Sequence, residues 1–144
     1  MLPIHTILHP TDFSQSSGHA FALVSALARD YHARLIVLHV VPTWTTQILS
    51  IAQLGTESPE NVRANFAKAL ERLQAADPAV HVERRLEEGN PVAQILHVAQ
   101  ETRADLLVLG THGRSGLGRL LMGSVAEQVM REASCPVLMV KMPS

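Results

Sequence analysis

Residues 105–124, DLLVLGTHGRSGLGRLLMGS, set an apolar run directly before a segment with glycine at 110, 113, 116, 118 and 123. Asp105 to Gly110, whose centre Leu106 to Leu109 has no polar side to turn to solvent, reads as a strand covered on both faces, as in parallel sheets. Glycines after such a strand leave the backbone open to close approach by another group. Gly123-Ser124 then begins a helical period running to about Ala133, and the unpaired amides of that helix start face the loop. Strand, glycine loop and helix start, in that order, suit an anion, a phosphate above all. The competing reading is a plain connector, since glycines also mark tight turns and caps.

The rest of the chain repeats the alternation. Ile4 to His9 and Arg34 to Val41 are short, apolar on both faces and rich in β-branched residues, and Pro136 to Lys141 has the same character. Ala79 to Glu87 alternates instead, as a less buried edge strand does. Between these runs the apolar spacing becomes helical. Ala20, Phe21, Val24, Leu27, Ala28 and Tyr31 form one stripe after the cap candidates Ser14 to Ser17. Ser58-Pro59 opens a second helix with Val62, Phe66, Ala69, Leu70 and Leu73 inward, ended by Asp77-Pro78. Asn90-Pro91 opens a third, with Val92, Ile95, Leu96 and Ala99 inward. Five strands alternating with four helices predict an α/β sandwich on a mostly parallel sheet with helices on both faces. Pro42 to Glu57 breaks the rhythm, and reads either as a long loop or as a short extra helix over the sheet's upper end.

Open parallel sheets bind ligands beyond the carboxyl ends of their strands, where the strand order reverses. Two loops have suitable chemistry: Pro10-Thr11-Asp12-Phe13-Ser14 after the first strand, and the glycine loop after the fourth. Two familiar nucleotide motifs fail in that loop. As a P-loop it has Arg119-Leu120 where a lysine and a hydroxyl residue are needed, and as a dinucleotide fingerprint it has Leu121 where a small residue is needed.

Length and composition bound the possibilities. A chain of 144 residues fits one domain, 1–144, that buries about 70% of its unfolded surface without staples. Its single cysteine, Cys135, pairs with nothing in the chain and reads as an inert, half-buried thiol. The start, MLPIHTILHPTD, has neither a basic segment nor an unbroken apolar stretch, so a cytoplasmic protein is expected. No apolar run approaches the about 18 residues that span a bilayer. A net charge of −1 offers no field for nucleic acid or an anionic membrane. None of the eight histidines stands in the His-Glu-x-x-His pattern that zinc enzymes use. His112, inside the glycine loop, is the one histidine expected near a ligand, and Trp44 reads as local packing.

The spacing Gly110-x₂-Gly113-x₉-Gly123-Ser124 resembles the nucleotide-binding signature of the universal stress protein family. Ile7-Leu-His-Pro-Thr-Asp-Phe-Ser14, Leu38-His-Val-Val41 and Ser134-Cys-Pro-Val-Leu-Met-Val-Lys141 are similar to that family's opening strand with its acidic loop, second strand end and closing strand. The resemblance runs along the whole chain in order. It implies a Rossmann-like open sheet of five parallel strands in the order 3-2-1-4-5, with the first and fourth strands adjacent. It also implies the ATP-binding branch, because all the signature glycines are present.

Carried over residue by residue, the resemblance puts the nucleotide against Pro10, Thr11, Asp12, Val40, Leu109, Gly110, Gly113, Gly123, Ser124 and Val125. Asp12 would meet the ribose side and a Mg²⁺ ion travelling with the nucleotide, and Val40 the adenine. Gly110 and Gly113 would pass close to the ribose and α-phosphate, while Gly123, Ser124 and Val125 would offer amides to the outer phosphates. From the residues alone, Asp12 also suits a cap or turn, and Arg114 and Arg119 either pair with a triphosphate or stay solvated. No general base stands out, and the resemblance implies a nucleotide-dependent regulatory module for stress adaptation, with a slow ATPase and a dimeric interaction protein as alternatives. The family's habit of dimerising through its last strand points to a homodimer through Val137, Leu138, Met139 and Val140, an apolar edge that invites pairing.

Overall fold

The computed structural model describes residues 2–43, 58–111 and 123–142. Along them run β1 (Thr6–Pro10), α1 (Gln15–Tyr31), β2 (Arg34–Val41), α2 (Pro59–Arg72), β3 (Val82–Glu88), α3 (Pro91–Glu101), β4 (Leu106–Gly110), α4 (Ser124–Glu132) and β5 (Val137–Val140). Every pairing is parallel, and the sheet order is β3-β2-β1-β4-β5.

The pleat sorts the strand residues into two cores. Leu8, Ile36, Leu38, Leu107 and Leu109 pack against Val92, Ile95 and Val98 of α3 and Val129 of α4. Their neighbours Ile7, Leu35, Val37 and Val108 face the other way, onto Ala20, Val24 and Ala28 of α1 and Leu70 of α2. A strand with apolar residues on both faces can only sit inside such a sandwich, where each fully buried Leu, Ile or Val contributes about 1.5–3 kcal/mol. Val98, outside the stripe expected for α3, is wholly buried in the first core.

Side-chain caps start three of the helices. Ser14 Oγ accepts from the Ser17 amide at 3.2 Å, Ser58 Oγ from Asn61 at 3.2 Å, and Asn90 Oδ1 from Ala93 at 2.9 Å. The proline after Ser58 and Asn90 fixes φ where no intrahelical N–H is needed. The second helix stops at Arg72, short of the expected Asp77-Pro78, and β3 begins at Val82 rather than Ala79. The last carbonyls of α2 are claimed instead by Arg84 of β3, whose Nε meets Leu70 at 2.9 Å and Nη2 meets Leu73 at 2.6 Å. Asp77 turns the intervening chain by accepting the Ala79 amide at 2.9 Å. Of the segment Pro42 to Glu57, residues 44–57 lie outside the described residues.

Candidate functional site

The strand order reverses between β1 and β4. Their ladder pairs Ile7 with Leu106 and Leu8 with Leu107. Beyond that rung β1 stays paired with β2 out to Pro10 and Leu38, and β4 with β5 out to Gly110 and Val140. The parting is written in the sequence, because Pro10 has no N–H for the next rung. The Val108 carbonyl is met instead by the His9 ring, with Nδ1 at 3.0 Å. The β1–β4 ladder thus ends at Leu8 and Leu107, and it is at such a reversal of strand order that open parallel sheets form their ligand crevice.

His9 is wholly buried, its ring 6.1 Å from that of Phe21. A carbonyl only accepts, so Nδ1 carries the proton. Burial pushes the imidazole below its ordinary pKa, an effect partly offset by the Val108 and Ser17 carbonyls and by the charge of Asp12. The sign of the pH effect follows. Below about pH 6.5 the unfolded chain protonates this histidine while the folded chain keeps it neutral, so stability falls with pH by up to about 1.4 kcal/mol per unit until the lowered folded pKa is reached. We expect His9→Asn, which keeps a donor for Val108 without a titrating ring, to flatten that slope in urea unfolding compared between about pH 7.5 and about pH 5.5. Equal slopes for the two proteins would remove His9 as the cause.

The loop after β1 is built by short side-chain bonds. The Thr11 amide extends the ladder to the Leu38 carbonyl at 2.8 Å, and Thr11 Oγ1 donates to Ser17 Oγ at 3.0 Å. Thr11 Oγ1 also accepts the Phe13 amide at 3.1 Å, and Asp12 Oδ1 accepts the Ser14 amide at 3.0 Å. Asp12 therefore shapes a turn and Ser14 is the helix cap, which resolves the cap question raised by the sequence. Phe13 takes φ 63°, a left-handed conformation that costs an aromatic residue on the order of 1 kcal/mol and persists only where its surroundings enforce it.

Across the crevice, the glycine loop is closed at its base. The Thr111 amide donates to Val140 at 3.1 Å, and the Thr111 carbonyl accepts the Gly123 amide at 2.9 Å. That bond holds the start of α4 against the end of β4. Gly123 is the N-cap of α4 and brings no side-chain bond, unlike Ser14, Ser58 and Asn90. Ser124 and Val125 are exposed there. Gly113, Arg114, His112 and Arg119 lie outside the described residues, as does Trp44.

Pro10, Thr11 and Asp12 thus share one rim of the crevice, and Gly110, Gly123, Ser124 and Val125 the other. Val40 and Leu109 sit near the carboxyl ends of β2 and β4, their side chains in the core with α3 and α4. Gly110 has a packing reason for its identity: a β-carbon there would lie 2.6 Å from Ser16 Oγ and 3.0 Å from the Ser16 backbone. His9 and His39, which the sequence did not single out, are both buried with Nδ1 on a backbone carbonyl. A histidine directly before the proline that interrupts a buried strand was the available signal for His9. Cys135 is half-buried beside the first core, and burial pushes its thiol above the ordinary value. Among the described residues no three His, Cys, Asp or Glu side chains gather as a metal-holding group, and no helix is long and apolar enough to cross a membrane.

A parallel sheet in this order, with helices on both faces and the strand order reversing between β1 and β4, defines an open, doubly wound α/β protein of the Rossmann-like kind. The model of the universal stress protein family matches residues 3–141. Universal stress protein MJ0531 of Methanocaldococcus jannaschii is 34% identical over 95% of this chain and 82% of its own length. The solved structure of MJ0577, also from that organism, covers 99% of both chains at a TM-score of 0.74 and 28% identity. A universal stress protein solved in complex with cAMP is 31% identical, with a TM-score of 0.64 over 97% of this chain and 98% of its own. The chain belongs to the universal stress protein family.

Proposed function

We propose that this protein binds ATP, with its Mg²⁺, in the crevice between β1 and β4, and acts as a nucleotide-dependent regulatory module in stress adaptation. The observation that carries the reading is the start of α4. Its N-cap, Gly123, has no side chain with which to cap the first amides, and the Gly123–Thr111 bond holds them beside the carboxyl end of β4. Bare amides at a helix N-terminus favour an anion through both hydrogen bonds and the helix dipole. The outer phosphates take the amides of Gly123, Ser124 and Val125 with the Ser124 hydroxyl; Gly113 and Arg114, outside the described residues, are the further phosphate-side residues that the sequence and its family resemblance imply. Leu109 and Gly110 pass beside the ribose and α-phosphate. Pro10, Thr11 and Asp12 bound the ribose side, where the Asp12 carboxylate suits the nucleotide's Mg²⁺, and the end of β2 at Val40 meets the adenine. Adenosine with its first phosphate is the part of ATP shared with the cAMP held by the relative solved with that ligand.

The test is mass spectrometry of small molecules released from the purified protein, followed by calorimetric titration with ATP and magnesium, AMP and cAMP. Co-purified ATP, or micromolar binding of it, supports the reading. An empty protein that binds none of the three returns the glycine loop to the role of a connector.

The same reading includes a homodimer through Val137, Leu138, Met139 and Val140, in the cytoplasm. Of the sheet's two edges, β3 carries Glu83, Arg84, Arg85, Glu87 and Glu88, charges that discourage pairing,. The other edge, β5, presents Val137, Leu138 and Met139 only half-buried. Light scattering at micromolar concentration is expected to give twice the chain mass, and Leu138→Asp to give the single mass. A monomeric unaltered protein would remove the dimer.

A further inference from the structure

We propose that His39 is a positioning residue for the acidic side of the crevice, holding the Thr11–Phe13 turn, and Asp12 within it, through a donated hydrogen bond from inside the fold. The inference rests on the nucleotide site proposed above. His39 lies on β2 one residue past the Pro10–Leu38 rung, level with the turn. Its Nδ1 is 2.7 Å from the Thr11 carbonyl, a short bond between buried groups. That carbonyl only accepts, so Nδ1 is the donor and the ring's tautomer is fixed at that nitrogen.

The turn needs such a hold. Phe13 is in the left-handed region at φ 63°, where a side chain other than glycine stays only under constraint from its surroundings. Besides the Thr11–Phe13 and Asp12–Ser14 bonds within the turn itself, two contacts hold it from the sheet, and both are made by His39. The Thr11 carbonyl is tied to it, and the Phe13 ring packs 4.7 Å from the His39 ring and 6.1 Å from that of Phe66. Phe66, from α2, lies 4.5 Å from His39. The histidine therefore grips the turn on both sides of Asp12, by the carbonyl of the residue before it and the ring of the residue after it. A hydrophobic residue at position 39 would fill the space between the phenylalanines equally well. Only a donor satisfies the Thr11 carbonyl.

Two variants separate those roles. His39→Phe keeps an aromatic ring among Phe13 and Phe66 and removes the donor. His39→Asn removes the ring and restores an N–H donor at the position of Nδ1. Calorimetry with MgATP is expected to show affinity reduced about tenfold in the Phe variant and within about threefold of the unaltered protein in the Asn variant, since a buried carbonyl left unpaired displaces the turn. Affinity unchanged in the Phe variant, or an Asn variant as weak as the Phe variant, overturns the proposal.

Amide hydrogen exchange provides a readout free of nucleotide. The Phe13 and Ser14 amides, bonded to Thr11 Oγ1 and Asp12 Oδ1, are expected to exchange at least about tenfold faster in the Phe variant, with the β4–β5 ladder unaffected. Equal exchange at both amides counts against the positioning role. If the unaltered protein binds no ATP, the proposed function fails, and the exchange result alone decides the role of His39. Should the Phe variant not fold, ring nitrogen NMR of the unaltered protein decides it: a protonated Nδ1 coupled to the Thr11 carbonyl is expected, and a bare Nδ1 overturns the assignment.

Discussion

Gly123→Val is expected to lower the affinity for MgATP by at least about 100-fold, equivalent to about 2.7 kcal/mol, while the protein stays folded. Gly123 has φ −60° and ψ 156°, extended backbone that valine adopts without strain, so the substitution does not break the start of α4. Valine is a poorer N-cap than glycine, and a loss of stability within about 1 kcal/mol follows. Its branched side chain stands over the first-turn amides, where the outer phosphates must approach.

A companion variant sharpens the interpretation. Gly123→Ser brings a hydroxyl that caps the helix itself, as Ser14 and Ser58 do for α1 and α2. It is expected to raise stability by a few tenths of a kcal/mol, yet to weaken binding, because the added oxygen competes for the same amides. Stability and affinity then move in opposite directions, which no general loosening of the fold produces. Calorimetric titration beside urea unfolding checks both variants, and full affinity in folded Gly123→Val would sink the phosphate role of the α4 start.

The elements that determine their own structure locally were legible in the chain. Leu106 to Leu109 has apolar residues on both faces and became an interior strand, and Ser58-Pro59 and Asn90-Pro91 carry cap and first-turn chemistry in adjacent residues. Features set by distant partners were less visible. The second helix ends at Arg72 because Arg84, twelve positions further on, takes its last carbonyls, and no periodicity inside the helix announces that. The adjacency of β1 and β4 was expected from the family resemblance, but their parting depends on Pro10 lacking an amide and on His9 replacing it at Val108. The proline was visible, and its partner is ninety-eight positions away. Phe13 could not be read as a left-handed residue from its type, since that conformation follows from the grip of His39 and Phe66.

Gly110→Val is the other substitution with a large expected effect, and it acts on stability. A sequence reading gives this glycine to the ligand, whereas the structure shows the place of its missing side chain already taken by Ser16 of α1. An added β-carbon meets Ser16 Oγ at 2.6 Å, which a rotation relieves, and the Ser16 carbonyl carbon and oxygen at 3.0 Å, which no rotation relieves. The backbone of α1 must then move away from β4 against the packing of Ala20 and Val24 on the sheet. Overpacking of this kind costs about 3 kcal/mol when branched atoms are added to the β-carbon. Urea unfolding is expected to show that loss for Gly110→Val and a smaller one, about 1–2 kcal/mol, for Gly110→Ala. Ser16→Gly in the Val background is expected to recover only a minor part, because the backbone contact remains. A loss below about 1 kcal/mol in Gly110→Val, or full recovery by Ser16→Gly, would show that only the serine hydroxyl opposes a side chain there. The displacement would also reach the crevice, since Ser17, bonded to Thr11 and Ser14, moves with Ser16. One helix start then transmits packing at β4 to the turn that carries Asp12, and the two rims of the crevice are mechanically joined through α1.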